Sequence, residues 1–351
     1  MRFASTLLLA IAFAPGLLAA QAAPAADRAI AAFDPKEWEV PYGAKTRPRD
    51  PYADAQGRVW FVGQNGNYIA YLDNKSGAFK RFEIDSGTNP HNLVVEKGMV
   101  WFTGNRNNRI VKLDPANGKL TTYRIPDSTV RDPHTMIFDP KSGVAWFTAQ
   151  GAGAVGRFDP KTEQFRLWKT GPQTRPYGIV IDSKGQPWFD LFGTNKIGTV
   201  DPKTMELKTF AIPSDSARPR RIAVTSDDQI YYGDYRRGFL GHLDPKTGKV
   251  VEYALPLGVR ALPYAMTTDD KDNIWVAQNG HNQNGDTPPI PATLVAFDPK
   301  TKKFVAEIPV GKPGPNTIRH MTFDKATRQI WFGTDQGAIG KIAVPRVAFV
   351  P

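Results

Sequence analysis

An aromatic or apolar pair recurs seven times along the chain: Trp60-Phe61, Trp101-Phe102, Trp146-Phe147, Trp188-Phe189, Tyr231-Tyr232, Trp275-Val276 and Trp331-Phe332. Successive copies lie 41, 45, 42, 43, 44 and 56 residues apart. Only the last interval is long, and a polar, Gly/Pro-rich insertion at residues 279–291 accounts for it. A repeat of this length cannot bury its own apolar face and must stack on its neighbours, which confines the chain to a repeat architecture.

The internal order of each copy narrows the choice further. A short apolar strand such as Gly178-Ile179-Val180-Ile181 is followed by a turn such as Asp182-Ser183-Lys184-Gly185, and then by the Trp-Phe strand. A third strand follows, as in Arg109-Ile110-Val111-Lys112-Leu113, then an Asp-Pro turn and a last strand such as Leu120-Thr121-Thr122-Tyr123-Arg124. Four short alternating strands in roughly 40–45 residues make one propeller blade. No segment sustains a 3.6-residue period, so no long helix is expected. The fold class is all-β: a seven-bladed β-propeller with four-stranded antiparallel blades.

The seventh repeat, residues 319–344, supplies only three strands. The missing outer strand has the pattern aromatic-x-apolar-Pro, as in Phe210-Ala211-Ile212-Pro213, and the same pattern stands near the N-terminus as Trp38-Glu39-Val40-Pro41. The N-terminal strand is therefore expected to complete the last blade, which removes an open sheet edge.

Ahead of it, Met1-Arg2 forms a short basic start. The mostly apolar run 3–18 is broken at Pro15-Gly16, and Ala20-Gln21-Ala22 reads as a small-residue cleavage site. Residues 1–22 are expected to be an export signal, 23–36 an Ala-rich leader and 37–351 one propeller domain. The mature protein is expected in the periplasm or outside the cell, free of the membrane and monomeric. The absence of Cys excludes disulfides, a thiolate metal site, a cysteine nucleophile and a lipidated anchor.

The chain carries 45 Lys+Arg against 34 Asp+Glu, but many of the lysines sit in one recurring hairpin turn. It appears as Asp159-Pro160-Lys161-Thr162, Asp201-Pro202-Lys203-Thr204, Asp244-Pro245-Lys246-Thr247 and Asp298-Pro299-Lys300-Thr301. Pro and Asp there are turn formers. The charge is thus spread around a rim, which speaks against a nucleic-acid partner and for weak attraction to an acidic small molecule.

The innermost strands begin with a residue, then Pro, then a polar aromatic or a cation. The copies are Asp50-Pro51-Tyr52, Asn89-Pro90-His91, Asp132-Pro133-His134, Arg175-Pro176-Tyr177, Arg218-Pro219-Arg220 and Leu262-Pro263-Tyr264, with Ile318-Arg319-His320 as the seventh. Pseudo-symmetry predicts a ring of Tyr52, His91, His134, Tyr177, Arg220, Tyr264 and His320 at one height around the axis. Such a ring can do acid–base work, hold a metal together with Asp132 or Asp50, or plug the channel with polar groups. His242, in a third strand, and His281, in the insertion, are expected to be structural or surface residues.

Pro176-Tyr177-Gly178-Ile179, Trp101-Phe102-Thr103, Lys196-Ile197-Gly198, Gly340-Lys341-Ile342 and Tyr123-Arg124-Ile125-Pro126 resemble the blades of the virginiamycin B lyase (streptogramin B lyase) family, over residues 38–345. The resemblance implies a metal-assisted carbon–oxygen elimination that opens a cyclic depsipeptide at its ester, with Mg²⁺ as the metal. It further implies that Pro90-His91, Asp132-Pro133-His134 and Pro176-Tyr177-Gly178 form the catalytic sector, with Asp132 where the family has Glu. The Glu of the family's Trp-Phe-Thr-Glu is replaced by Gly104, Ala149 and Leu191 in three blades.

On this reading His91, His134 and Tyr177 are catalytic. Asp132 and His134 hold the metal, and Tyr52, Arg220, Tyr264 and His320 contact substrate. One histidine takes the proton α to a carbonyl, and which one is open. Two alternatives stand beside the lyase. One is a non-catalytic propeller that holds an anion with Arg175, Arg218 and Arg220, and the other is a lactonase-like hydrolase.

Overall fold

A computed structural model describes residues 32–43, 45–279, 290–312 and 316–346. The expected export signal, most of the leader and His281 lie outside the described residues. Seven four-stranded antiparallel sheets form the ring of blades. The single helical turn among the described residues is Gly258–Arg260.

The innermost strands are Pro48–Ala53, Pro90–Glu96, Pro133–Phe138, Pro176–Ile181, Pro219–Val224, Met266–Thr268 and Ile318–Asp324, one from each blade in turn. The N-terminal strand Lys36–Glu39 is the outer strand of the seventh blade, antiparallel to Ala338–Ala343 with Trp38 opposite Ile339. The seam is knitted at the centre as well, where the Thr322 hydroxyl donates to the Pro51 carbonyl at 2.8 Å. Docking starts ahead of the expected domain boundary at residue 37, since Phe33 is buried edge-on against Trp275 and its carbonyl accepts from Ala343 N–H.

The repeated residues have identifiable packing roles. A buried indole needs a partner for its N–H. An Asp in the first hairpin turn, six positions earlier, supplies it in three blades: Asp54 for Trp60 (2.7 Å), Asp182 for Trp188 (3.1 Å) and Asp269 for Trp275 (3.0 Å). The neighbouring Phe lies flat across the third strand. A Cβ on Gly156 would sit 2.1 Å from the Phe147 ring, and one on Gly198 would sit 2.3 Å from Phe189, so glycine is the residue that fits there. In the Asp-Pro-Lys-Thr turns, each Asp accepts the N–H of the Lys two residues on, at 2.8–2.9 Å. Those lysines are accordingly on the surface.

The threonine of Trp-Phe-Thr ties blade to blade. Thr103 donates to the carbonyl of His134 in the next blade (3.1 Å), and Thr148 donates to that of Tyr177 (2.7 Å). Each also accepts an N–H from its own blade, Asn92 and Thr135 respectively.

Trp38 stacks on Trp331 with ring centres 5.8 Å apart, and Lys36 and Lys341 lie over its ring. Deleting residues 23–41 strips this stack and exposes the edge of Ala338–Ala343. Calorimetry should show Tm falling by roughly 10 °C, and by about 3–5 °C for Trp38→Ala alone. An unchanged midpoint in the deletion would show that the strand does not close the ring.

Candidate active site

Six of the seven innermost strands lose register with their neighbour near their start, five just after the first residue and the first blade after Arg49, for instance between Pro90 and Leu93, Pro133 and Met136, and Pro176 and Ile179. Such a bulge re-aims side chains that a regular strand would place between blades. Here it turns the second and third residues of the strand toward the axis, in two layers.

Register decides which residues share a layer. Pro48, Pro90, Pro133, Pro176, Pro219 and Ile318 each pair with the residue that ends the Trp-Phe strand, so they are equivalent. The upper layer is therefore Arg49, His91, His134, Tyr177, Arg220, Tyr264 and Arg319. This corrects the expected ring at two places. Tyr52 sits three residues further along its strand, opposite Trp60, and His320 falls in the lower layer with Asp50, Asn92, Thr135, Gly178 and Arg221. The five other expected members do come together. The His91 and His134 rings are 3.6 Å apart between centres, those of His134 and Tyr177 4.0 Å, and the hydroxyls of Tyr177 and Tyr264 are in hydrogen-bond contact.

The two histidines are held in different ways. His91 Nδ1 lies 3.1 Å from the His134 carbonyl oxygen. A carbonyl only accepts, so Nδ1 carries the proton and Nε2 keeps its lone pair. His134 Nδ1 lies 2.9 Å from the Thr135 hydroxyl, which itself accepts from Arg221 Nη1 at 3.1 Å. The hydroxyl hydrogen is then available to His134 Nδ1, an arrangement in which His134 carries its proton on Nε2. Burial, and then the guanidiniums of Arg49 and Arg221, hold both rings well below the usual histidine range and hence neutral.

Four guanidiniums crowd this axis. Arg49 donates to Asp50 at 2.8 Å and to Gln64 at 3.2 Å. Arg319 is bound bidentately by Asp335, at 2.7 and 2.5 Å. Arg221 crosses the channel to reach Thr135 and the Arg319 carbonyl. Arg220 pairs with no carboxylate; it lies among four rings, its guanidinium carbon 3.8 Å from the centre of Tyr264, 4.2 Å from Tyr235, 4.7 Å from Phe192 and 5.2 Å from Tyr177. Burial alone would push the Tyr264 phenol up. The guanidiniums of Arg220, Arg49, Arg319 and Arg221 outweigh it and bring the phenol down to about 7, while burial and the neighbouring phenol raise Tyr177. Asp50 stays ionised despite its burial because Arg49, His320 and Arg221 face it. Asp190 stands where other blades have the clamping Thr. Its burial raises it well above the carboxylate range, so it is a neutral acid accepting Gly178 N–H at 3.0 Å.

Outside the ring, a mouth of about 750 Å³ is lined by Arg175, Arg218, Arg236, Phe192 and Tyr235. Asp132 is not part of the ring. Its carboxylate accepts the backbone N–H groups of Gly151 and Ala152 and so pins that loop. Among the described residues no three His, Asp or Glu side chains gather in a group able to hold a metal ion. Mg²⁺ asks for six oxygen ligands in octahedral array, whereas this axis presents imidazoles, phenols and guanidiniums. The residues here do not fit Mg²⁺. His242 is structural as expected, stacked on Tyr231 and bonded to Gln229 at 2.9 Å.

The sequence matches the Virginiamycin B lyase family over residues 52–342. No curated protein sequence matches it. Among solved structures, a streptogramin B lyase superposes with TM-score 0.76 at 23% identity, covering 90% of this chain and 99% of its own. A catalytically inactive histidine variant of virginiamycin B lyase from Staphylococcus aureus, solved with quinupristin, gives 0.76 at 22% identity over 89% of this chain and 100% of its own. Hydrazine synthase from Kuenenia stuttgartiensis gives 0.67 at 12% identity, over 83% and 93%. These likenesses establish the fold, and the last of them shows that the fold alone does not name a reaction.

Nitrogen-15 NMR checks the histidine assignment. Between about pH 5 and 8 neither ring should titrate, with His91 protonated at Nδ1 and His134 at Nε2. A midpoint near the ordinary histidine value for either ring would refute the neutral pair.

Proposed function

Because this chain belongs to the virginiamycin B lyase family, we propose that it is a carbon–oxygen lyase acting on an ester-bearing small molecule. The observation that carries the reading is the opposed pair of neutral imidazoles, one with a free lone pair and one with a free N–H, in a field of guanidiniums. His91 Nε2 takes the proton from the carbon α to a carbonyl. The C–H electron pair becomes the new C=C bond, the β-carbon–oxygen bond breaks, and its electrons leave on the carboxylate of the former ester. His134 Nε2–H donates to the carbonyl oxygen as enolate character develops, and Arg220 and Arg221 stabilise that charge. Tyr177 donates to the departing oxygen. Fixed positive charge in a water-poor site can supply the stabilisation that the resemblance assigned to a metal. That a histidine variant of the Staphylococcus aureus relative is inactive supports an imidazole role.

The arginines of the mouth favour an anionic substrate and also support the second reading, a propeller that binds an anion without chemistry. We place the mature chain in the periplasm or outside the cell on the sequence of its first 22 residues, and take it to act as a monomer.

The deciding experiment incubates the protein with a panel of cyclic esters and lactones and identifies products by mass. Ring opening by elimination leaves the mass of the substrate unchanged, whereas hydrolysis adds one water. The expected result is the unchanged mass, a rate insensitive to EDTA, and a loss of roughly 10²–10⁴-fold in His91→Ala. Activity that requires added Mg²⁺ would overturn the guanidinium mechanism, and binding without turnover would establish the second reading.

The phenol pair adds a pH dependence. When Tyr264 ionises, the Tyr177 hydroxyl turns to it and no longer serves the leaving oxygen. The rate should therefore fall as pH rises through about 7, and Tyr264→Phe should move that limb upward. Absorbance at the phenolate band should show one tyrosine titrating in that range in the wild type and none in the variant. A profile unchanged in Tyr264→Phe would remove the phenol pair from the mechanism.

A further inference from the structure

Below the two layers the channel widens into a second cavity of about 620 Å³, open on the opposite face of the ring. None of the upper-layer residues lines it. Its inner end is polar, formed by Asn92, Thr135, Arg221 and His320. Its walls are apolar, among them Val94, Ile137, Val180, Met136, Met266 and Met321. Such a volume lies within the roughly 300–1,000 Å³ of small-molecule sites, and methionines at three places around the wall allow it to adapt to an occupant.

The inner end holds buried polar atoms without partners. Arg221 is 2% exposed, and its Nη2 has no hydrogen-bond partner. The nearest carboxylate oxygen, Asp50 Oδ2, is 4.0 Å away and is already taken by Asn92 Nδ2 at 2.9 Å. His320 Nδ1, beside it, is equally without a partner. A buried guanidinium N–H without a partner calls for an acceptor. The rim carries Glu96 and Asp324 against Lys325, which disfavours a ligand bearing charge at its outer end.

We propose that this cavity binds a monocarboxylate with an apolar body. The carboxylate lies at the inner end against Arg221 and His320, and the body lies along the aliphatic wall. The site adjoins the ring of imidazoles and phenols through Arg221 and Thr135, and does not rest on the lyase reading.

Calorimetric titration of the full chain with decanoate tests it, with decyltrimethylammonium as the same body with opposite charge and butyrate as the same charge without the body. The expected result is one decanoate per chain, with both comparison ligands at least tenfold weaker. Val180→Trp, which fills the cavity from its wall, should weaken decanoate at least tenfold. Thr267→Trp, from another blade, replaces it if that variant does not fold. Arg175→Ala/Arg218→Ala strips the opposite mouth; affinity retained there supports the lower cavity. Affinity lost in that double variant, decyltrimethylammonium binding as well as decanoate, or decanoate binding unmoved by the tryptophan would each overturn the proposal.

Discussion

The bulge at the start of the innermost strands is the constraint on which the rest depends. A regular strand at that position would send its side chains alternately into the two inter-blade interfaces, where the Trp, Phe and aliphatic clusters already fill the space. One slip in the ladder frees two residues per blade from that packing and gives them to the axis. Four of the residues just before these strands, Arg47, Asn89, Arg175 and Leu262, adopt left-handed φ between 40° and 53° ahead of a proline. That conformation is unfavourable for non-glycine residues and persists where surrounding structure over-determines it. Inter-blade threonines supply part of that determination, because Thr103 and Thr148 hold the carbonyls of His134 and Tyr177 directly.

Once two polar layers are imposed on a narrow channel, desolvation sets the charge states. The imidazoles respond by staying neutral, since they can still bond as neutral rings. Guanidiniums cannot lose their charge, so they find partners: Asp50 for Arg49, Asp335 for Arg319, and the faces of aromatic rings for Arg220. The phenol of Tyr264 is then the group on which the uncompensated positive charge acts most strongly, and it ionises more readily while Tyr177 ionises less readily. Asp190 shows the reverse case, a carboxyl too far from compensation to ionise.

Much of this was legible in the sequence, and the misplacements have a specific cause. The Trp-Phe period defined seven blades, and the Trp38–Pro41 pattern identified the closing strand, because both are set by packing that every blade repeats. The proline that precedes each strand does not mark the ring position in blades one and seven. Blade one has two prolines, Pro48 and Pro51, and blade seven has none at that point. Distance from the Trp-Phe pair is the better ruler for blade one, whereas in blade seven it still selects His320, and only the pairing of Ile318 with Thr334 assigns Arg319. Pro48, Pro176, Pro219 and Pro263 all stand 12 residues before the first aromatic of the pair, whereas Pro51 stands only 9 before it. With that ruler Arg49 joins the upper layer and Tyr52 leaves it. The destination of the Asp132 carboxylate was not legible, since nothing in Asp-Pro-His says whether the acid turns to the axis or to the loop at Gly151.

Arg49 and Arg319 change what the axis can do. With Tyr52 and His320 in their places, the ring would have held histidines and tyrosines around a single arginine, a set open to a cation. With the register observed, positive charge flanks the His91–His134–Tyr177 sector from both sides, Arg49 before it and Arg220 after it in blade order. Divalent metal and developing anion place opposite demands on such a sector. The same Coulomb field that repels a cation lowers the energy of charge forming on a carbonyl oxygen, and in a site stripped of water that field is weakly screened. The blades therefore differ in one respect that matters chemically: three consecutive ones carry imidazole and phenol groups, and their neighbours carry fixed charge that, on the proposed mechanism, favours proton transfer among them.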